Sequence, residues 1–394
     1  MHKATMFRTE ALSEFSQWAA QLRPQSLSNQ SAERIAQASI LYLLAPSSFL
    51  GQSFTIPITQ RLLAAGKRVV LVDDTMPAPP AGIEGCSVLG TMAFAQERPV
   101  SCLAIHMANS VFVHGLFATA ARHAGIPAID IVAVLDAFDL PVIYQTASAM
   151  RDATLARLDD YVKLAGLLDD AFSIQTLRSA LEMRTTLDRG AMIPVLCSLE
   201  DEYFSPFPAG KDVTFAMGTN EILCDVGAHV GTTVCKFLAA TRWQYDAIHA
   251  FEPDAGNFAK LQQGIFKTLA NFHPRNMALS SVKSTLRFAE TGTMGSHLDD
   301  NGNVQVQAST LDDEIGHATF IKMDVEGHEA NILRGARRLI SQSKPRLAIT
   351  GYHFADDLLD IAQLVREIEP AYRLRLRHHS FYYYDTILYA DINP

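Results

Sequence analysis

The sequence has no pair of cysteines spaced as C-x-x-C. Its five, Cys86, Cys102, Cys197, Cys224 and Cys235, are odd in number and widely separated. This argues against a disulfide scaffold and a structural zinc site, and a reducing cytoplasm is the expected compartment. Positive charge is also short, with 33 Lys and Arg against 42 Asp and Glu for a net charge of -9. A chain without a basic excess has no broad attraction for nucleic acid or anionic lipid, so a small-molecule or glycan acceptor is expected. Long apolar runs are missing as well. The longest, around Ile40 to Leu50, is broken by Pro46, Ser47 and Ser48, well short of the ~20 residues of a membrane span. Residues 1–29 mix Lys3, Arg8, Glu10, Glu14 and Arg23 with scattered apolar residues, which is not the pattern of an export signal.

What is present is a chain of 394 residues, 48% hydrophobic and 19% charged. That length exceeds the roughly 250–300 residues at which single cores stop growing, so two domains are expected. Short apolar runs alternate with helical patterns, the mark of an α/β fold with mainly parallel sheets. In the first stretch, Ile40 to Ala45, Val69 to Val72, Cys102 to Met107 and Ala128 to Val134 read as strands. Ile56 to Ala65 and Val111 to His123 read as helices. Between Asp152 and Asp188 apolar residues recur at mostly three- to four-residue intervals without a proline, predicting a helical connector. A second series predicts strands at Ile222 to Val226, Ala247 to Phe251, Arg275 to Leu279, Phe320 to Asp324 and Arg346 to Thr350. A C-terminal hairpin follows at Tyr372 to Arg377 and Thr386 to Ala390. The expected organisation is two Rossmann-like domains, 1–150 and 214–394, joined by a connector at 151–213. Self-association into a homo-oligomer is left open.

The chemistry concentrates at strand ends. Leu223 to Gly231 reads LCDVGAHVG, where a buried strand gives way to a helix. Glycines there let the backbone approach a ligand and adopt positive φ, and the helix start favours an anionic group. A dinucleotide fingerprint would need glycine at His229 and Thr232, which weakens a nicotinamide reading. The spacing is instead Asp-x-Gly-x-x-x-Gly, with Asp225 placed to accept from a cofactor ammonium. The next strand ends in Phe251-Glu252-Pro253, where Glu252 can take both ribose hydroxyls.

The Lys322 to Glu329 run, KMDVEGHE, follows the fourth strand at its carboxyl end, where open α/β sheets place ligands. Asp324, Glu326 and His353 are the candidates to face an acceptor hydroxyl and take its proton. Glu326 and Glu329 also suit the start of the following helix. Asp324 and Glu326 could hold a divalent cation, but no further carboxylate partner can be assigned from sequence, and no metal is expected. Arg373, Arg375 and Arg377 share one strand face, suited either to an anionic substrate or to a charged edge strand.

These residues resemble the FkbM family of class I S-adenosylmethionine-dependent methyltransferases. The resemblance rests on Asp225-Val226-Gly227-Ala228 with Gly231, Phe251-Glu252-Pro253, Asn276 and Ala278, Thr310-Leu311-Asp312-Asp313, and Ile321 to Glu329 with Leu333 and Gly335-Ala336. It covers about residues 200–394 and implies a seven-stranded sheet with a C-terminal antiparallel hairpin. It also implies S-adenosylmethionine as cofactor and O-methylation of a sugar, glycan or polyketide-like hydroxyl. Asp225, Gly227, Ala228, His229, Gly231, Glu252, Asn276 and Ala278 would then hold the cofactor. His328 stands where the family more often has a small residue. The first domain resembles the Rossmann-like helper module of such enzymes, although its turn, Ala45 to Gln52, carries only Gly51. Two rivals remain open: a nicotinamide-dependent dehydrogenase and a non-catalytic module sensing nucleotide-sugars.

Overall fold

Apolar runs buried on both faces become central parallel strands, and the chain builds two such sheets. The computed structural model describes residues 2–22, 27–205, 215–290 and 295–392. The first sheet has five parallel strands in the order Ser87–Leu89, Arg68–Val72, Ile40–Leu44, Cys102–His106 and Ala128–Asp130. The second has seven, in the order Phe272–Arg275, Ala247–Phe251, Ile222–Val226, Phe320–Met323, Arg346–Thr350, Thr386–Asp391 and Arg373–His378. Thr386–Asp391 runs antiparallel to both of its neighbours. The molecule is thus a mixed α/β fold.

Two predicted strands differ from the structure. Ala128 to Val134 is extended only to Asp130, whose carboxylate accepts from Val132 N at 3.0 Å and caps the helix Ile131–Ala137. A short apolar run suits a buried helix as well as a strand. Arg275 to Leu279 is divided, because Asn276 turns its amide back onto the carbonyls of Glu252 and Pro253 at 2.9 and 3.0 Å. Phe272–Arg275 is an edge strand, where Pro274 is tolerated. Ala278–Leu279 instead joins a small sheet with Val304–Ser309, Ser284–Ala289 and His297–Leu298, of which the sequence reading had no trace.

The helices Ala147–Ala156, Leu158–Leu167 and Ala171–Thr186 occupy the connector region. They bury Tyr161, Leu164, Leu168, Ile174 and Leu177 in one core with the second sheet and with Ala11, Phe15 and Ala19 of the helix His2–Gln21. Conversely, the turn before the last strand inserts Tyr382 and Tyr383 into the core of the first sheet. The basic run lies on the last strand of the sheet, with Arg373 partly exposed, and is paired by this packing. Arg373 bonds Asp169 at 2.6 Å and Arg377 bonds Asp170 at 3.1 Å, while Arg375 lies 5.4 Å from the Phe215 ring centre. Arg189, fully buried, pairs with Asp130 at 2.9 Å and donates to the carbonyls of His106, Ala108 and Phe381. One guanidinium thereby ties the connector, the first sheet and the C-terminal turn together.

Candidate functional site

At the carboxyl end of Ile222–Val226 the chain must turn at once into the helix Thr232–Ala240, and its glycines make that possible. Gly227 has φ +78°, and a Cβ there would sit 1.9 Å from the Asp324 carbonyl oxygen. Gly231 has φ +89° and faces Phe266, which a Cβ would meet at 2.2 Å. The amides of Gly227 and Ala228 both donate to the Phe251 carbonyl, at 3.1 and 3.0 Å. His229 itself takes φ +49°. Its amide donates to Glu252 Oε2 at 2.7 Å, while Glu252 Oε1 accepts from Asp254 N at 2.9 Å. The tight turn and the neighbouring strand's acid therefore meet. Each carboxylate oxygen keeps a further lone pair, and burial raises the Glu252 carboxyl to about 7.

The other predicted cofactor residues are distributed differently. Asp225 is fully buried, 3.2 Å from Lys322 Nζ, and that ammonium also donates to the Gly227 carbonyl at 2.7 Å. Asp225 thus fixes the turn from behind through Lys322. Asn276 holds the segment following Glu252, as described above. Ala278 is buried in the small sheet, paired with Ala308. His328 bonds Ser280 at 3.0 Å and Asn331 at 3.2 Å, anchoring that sheet.

The second cluster lies across the end of Phe320–Met323 and Arg346–Thr350. His353, wholly buried, stands with Nε2 3.5 Å from Asp324 Oδ1 and 3.3 Å from Glu326 Oε2, and Nδ1 3.4 Å from Glu329 Oε1. Burial alone would depress its basicity, but Glu329, Glu326 and Asp324 outweigh that and hold the imidazole well above its usual range. These contacts hold the imidazole against all three carboxylates, so it positions them as well as facing the acceptor side. Glu329 is buried and accepts from Val325 N at 2.9 Å and Thr350 Oγ1 at 3.0 Å. Asp324, Glu329 and His353 also offer ligand atoms within 4.8 Å of one another, the arrangement a metal ion would need. Glu326 takes φ +59° and is followed by Gly327 at φ +92°. A non-glycine residue held there marks backbone strain concentrated at the site.

Several residues here had not been singled out from sequence. Tyr203 donates to Asp324 Oδ2 at 3.0 Å, and Tyr352 approaches Oδ1 at 3.4 Å. Tyr144, more than 180 positions upstream, donates to Glu326 Oε2 at 2.7 Å. Its ring stacks on Phe354 with centres 5.6 Å apart and lies 4.9 Å from His297. Lys322 and Glu329 were visible as part of the polar run. Nothing in the local sequence marks the three tyrosines.

Residues 225–373 match the methyltransferase FkbM domain. The chain is 25% identical over 156 residues to the hexuronic acid methyltransferase AglP of Haloferax volcanii, a match covering 38% of this chain. The chain spans 62% of the length of that relative. The crystal structure of methyltransferase FkbM from Methylobacillus flagellatus superposes with a TM-score of 0.72, covering 97% of this chain and 99% of that one at 23% identity, a likeness of fold. The likeness to the FkbM methyltransferase domain thus lies in residues 225–373, which carry the glycine turn, Glu252 and the carboxylates around His353.

Proposed function

We propose that the chain is an S-adenosylmethionine-dependent O-methyltransferase acting on a hydroxyl of a sugar, glycan or polyketide-like small molecule. The observation that carries this reading is the 2.7 Å bond between His229 N and Glu252 Oε2, which joins the glycine turn to the acid of the next strand. Gly227, Ala228, His229 and Gly231 would line the cofactor's amino-acid end, and Glu252 would accept its ribose hydroxyls. Asp225 and Asn276 hold these two segments from behind. When bound, the cofactor supplies a methyl group on a sulfonium, so the protein has chiefly to align and deprotonate the acceptor. Asp324 and Glu326 are the carboxylates open to it, each about one-fifth to one-quarter exposed. His353 holds them in place through Nε2, 3.5 Å from Asp324 and 3.3 Å from Glu326.

In this reading the organisation is a helper unit of residues 1–150, a connector of 151–213 and a methyltransferase unit of 214–394. The compartment is the cytoplasm. Cys86, Cys102, Cys224 and Cys235 form no disulfide, and among the described residues no helix is long and apolar enough to cross a membrane. Isothermal titration with S-adenosylmethionine and S-adenosylhomocysteine tests the cofactor. Glu252→Ala should weaken binding at least tenfold, about 1.4 kcal/mol, because two charge-assisted hydrogen bonds are lost. An unchanged affinity, or heat from NADH instead, would refute the assignment.

A further inference from the structure

The acceptor side of the site has two properties that the cofactor reading leaves unused. One is a rim of three aromatic side chains drawn from distant parts of the chain. Tyr144 comes from the segment that follows the first sheet, His297 from the small sheet, and Phe354 from the loop after Arg346–Thr350. Phe354 is 37% exposed, and the Tyr144 hydroxyl is directed onto Glu326. Gln145, beside it, accepts from Ala355 N at 3.0 Å, which fixes this segment against the loop. An aromatic rim next to a carboxylate acceptor suits a sugar ring, whose C–H face is apolar and whose hydroxyls donate.

The other property is charge. Asp324, Glu326 and Glu329 surround His353, and Glu202 and Asp385 add to the same region. Burial and the nearby Asp385 and Asp324 raise Glu202 to about 8, and burial and Asp324 raise Asp385 to about 7. Burial is the first cause of both shifts; the negative charge itself comes from three carboxylates, Asp324, Glu326 and Glu329, set against the single imidazole of His353. Apart from His353 inside the cluster, the neighbouring cations Lys322, Lys236 and Arg184 are committed elsewhere. Lys322 serves Asp225 and Gly227, Lys236 the carbonyls of Leu199 and Glu202, and Arg184 the Ala355 carbonyl and Tyr161. A carboxylate on the acceptor would enter this region against like charge, which discriminates strongly when desolvated.

Resting on the methyltransferase reading, we propose that Tyr144, Phe354, His297 and Glu326 form a sugar subsite that takes an uncharged or amino-bearing ring and rejects a uronic acid. The N-terminal part of the chain thereby supplies a specificity-determining residue to a site otherwise built by the FkbM domain.

The test titrates the full chain with the methyl glycosides of glucose, glucosamine and glucuronic acid, with chelator present, with and without S-adenosylhomocysteine. The glucoside and glucosaminide should bind at least about tenfold more tightly than the glucuronide. Glu326→Gln should narrow that gap, and Tyr144→Ala should weaken the glucoside at least about fivefold without changing the S-adenosylhomocysteine heat. Equal or tighter binding of the glucuronide would overturn the proposal, as would failure of all three sugars to bind. The S-adenosylhomocysteine heat reports the cofactor reading separately, so failure of either conclusion is distinguishable.

Discussion

The two main sheets each have a switch point in strand order, and they use it in opposite ways. In the first sheet, strands Ile40–Leu44 and Cys102–His106 lie side by side with their crossovers leaving in opposite directions. That is the switch point at which α/β folds bind ligands. Here, however, the polar groups of the turn itself are satisfied internally. Ser48 Oγ accepts from Gly51 N at 3.0 Å and donates to the Met107 carbonyl at 2.9 Å, bridging the two strand ends. Asp73 takes the amides and hydroxyls of Ser47 and Thr75. Burial would raise its carboxyl, yet these bonds hold it below the usual range. Gly51 packs tightly on the carbonyls of Ala45 and Pro46, where a Cβ would lie 2.6 and 2.5 Å from them. In the second sheet, Gly227 and Gly231 turn with positive φ, and Glu252 keeps a buried carboxyl near 7 with lone pairs unfilled. A crevice becomes a site when its turn leaves hydrogen-bonding capacity unspent.

The comparison can be broken at several points. The largest expected effect is on the tie between the two regions. Arg189→Ala leaves Asp130 buried without its partner and should lower stability by about 3–5 kcal/mol, read by urea unfolding. A loss below about 1 kcal/mol would mean that the two regions do not depend on this link.

Gly227→Ala should reduce S-adenosylmethionine affinity at least about 100-fold, because the new Cβ meets backbone and the turn must move. Gly51→Ala should lower the melting temperature and leave that affinity within about twofold. Equal losses of affinity in both variants would erase the distinction between the two turns. The smallest effect is on pH. Glu252 carries a raised pKa in the free protein, and hydroxyl donors favour its ionised form, so binding should release a proton. Cofactor affinity should therefore rise, by up to about tenfold, from pH 6 to pH 8. A flat profile in the parent protein, or the same slope in Glu252→Gln, would remove Glu252 from the contact.

Much of the second sheet was legible because its strands are continuous apolar runs ending in glycine or acid. Leu223 to Gly231 and Phe251-Glu252-Pro253 announced the glycine turn and the acid of the proposed cofactor side through residue type and order. The acceptor side was legible only in part. Asp324, Glu326 and His353 stood out, but that three carboxylates converge on His353 was not visible. The pairing of Asp225 with Lys322 was not visible either. Burial and charge environment are sums over neighbours distant in the chain, and no local pattern carries them.

Composition and periodicity by themselves determined the α/β class, the helical connector, and the glycine turn followed by an acid. These depend on backbone conformation and on which residues must leave water, both of which operate within a few residues. Tertiary structure alone decided that Tyr144 reaches Glu326, that the C-terminal turn enters the first sheet's core, and that the basic run is spent on Asp169 and Asp170. Those pairings join positions between about 180 and 240 residues apart, where chain connectivity imposes nothing and only packing selects the partner.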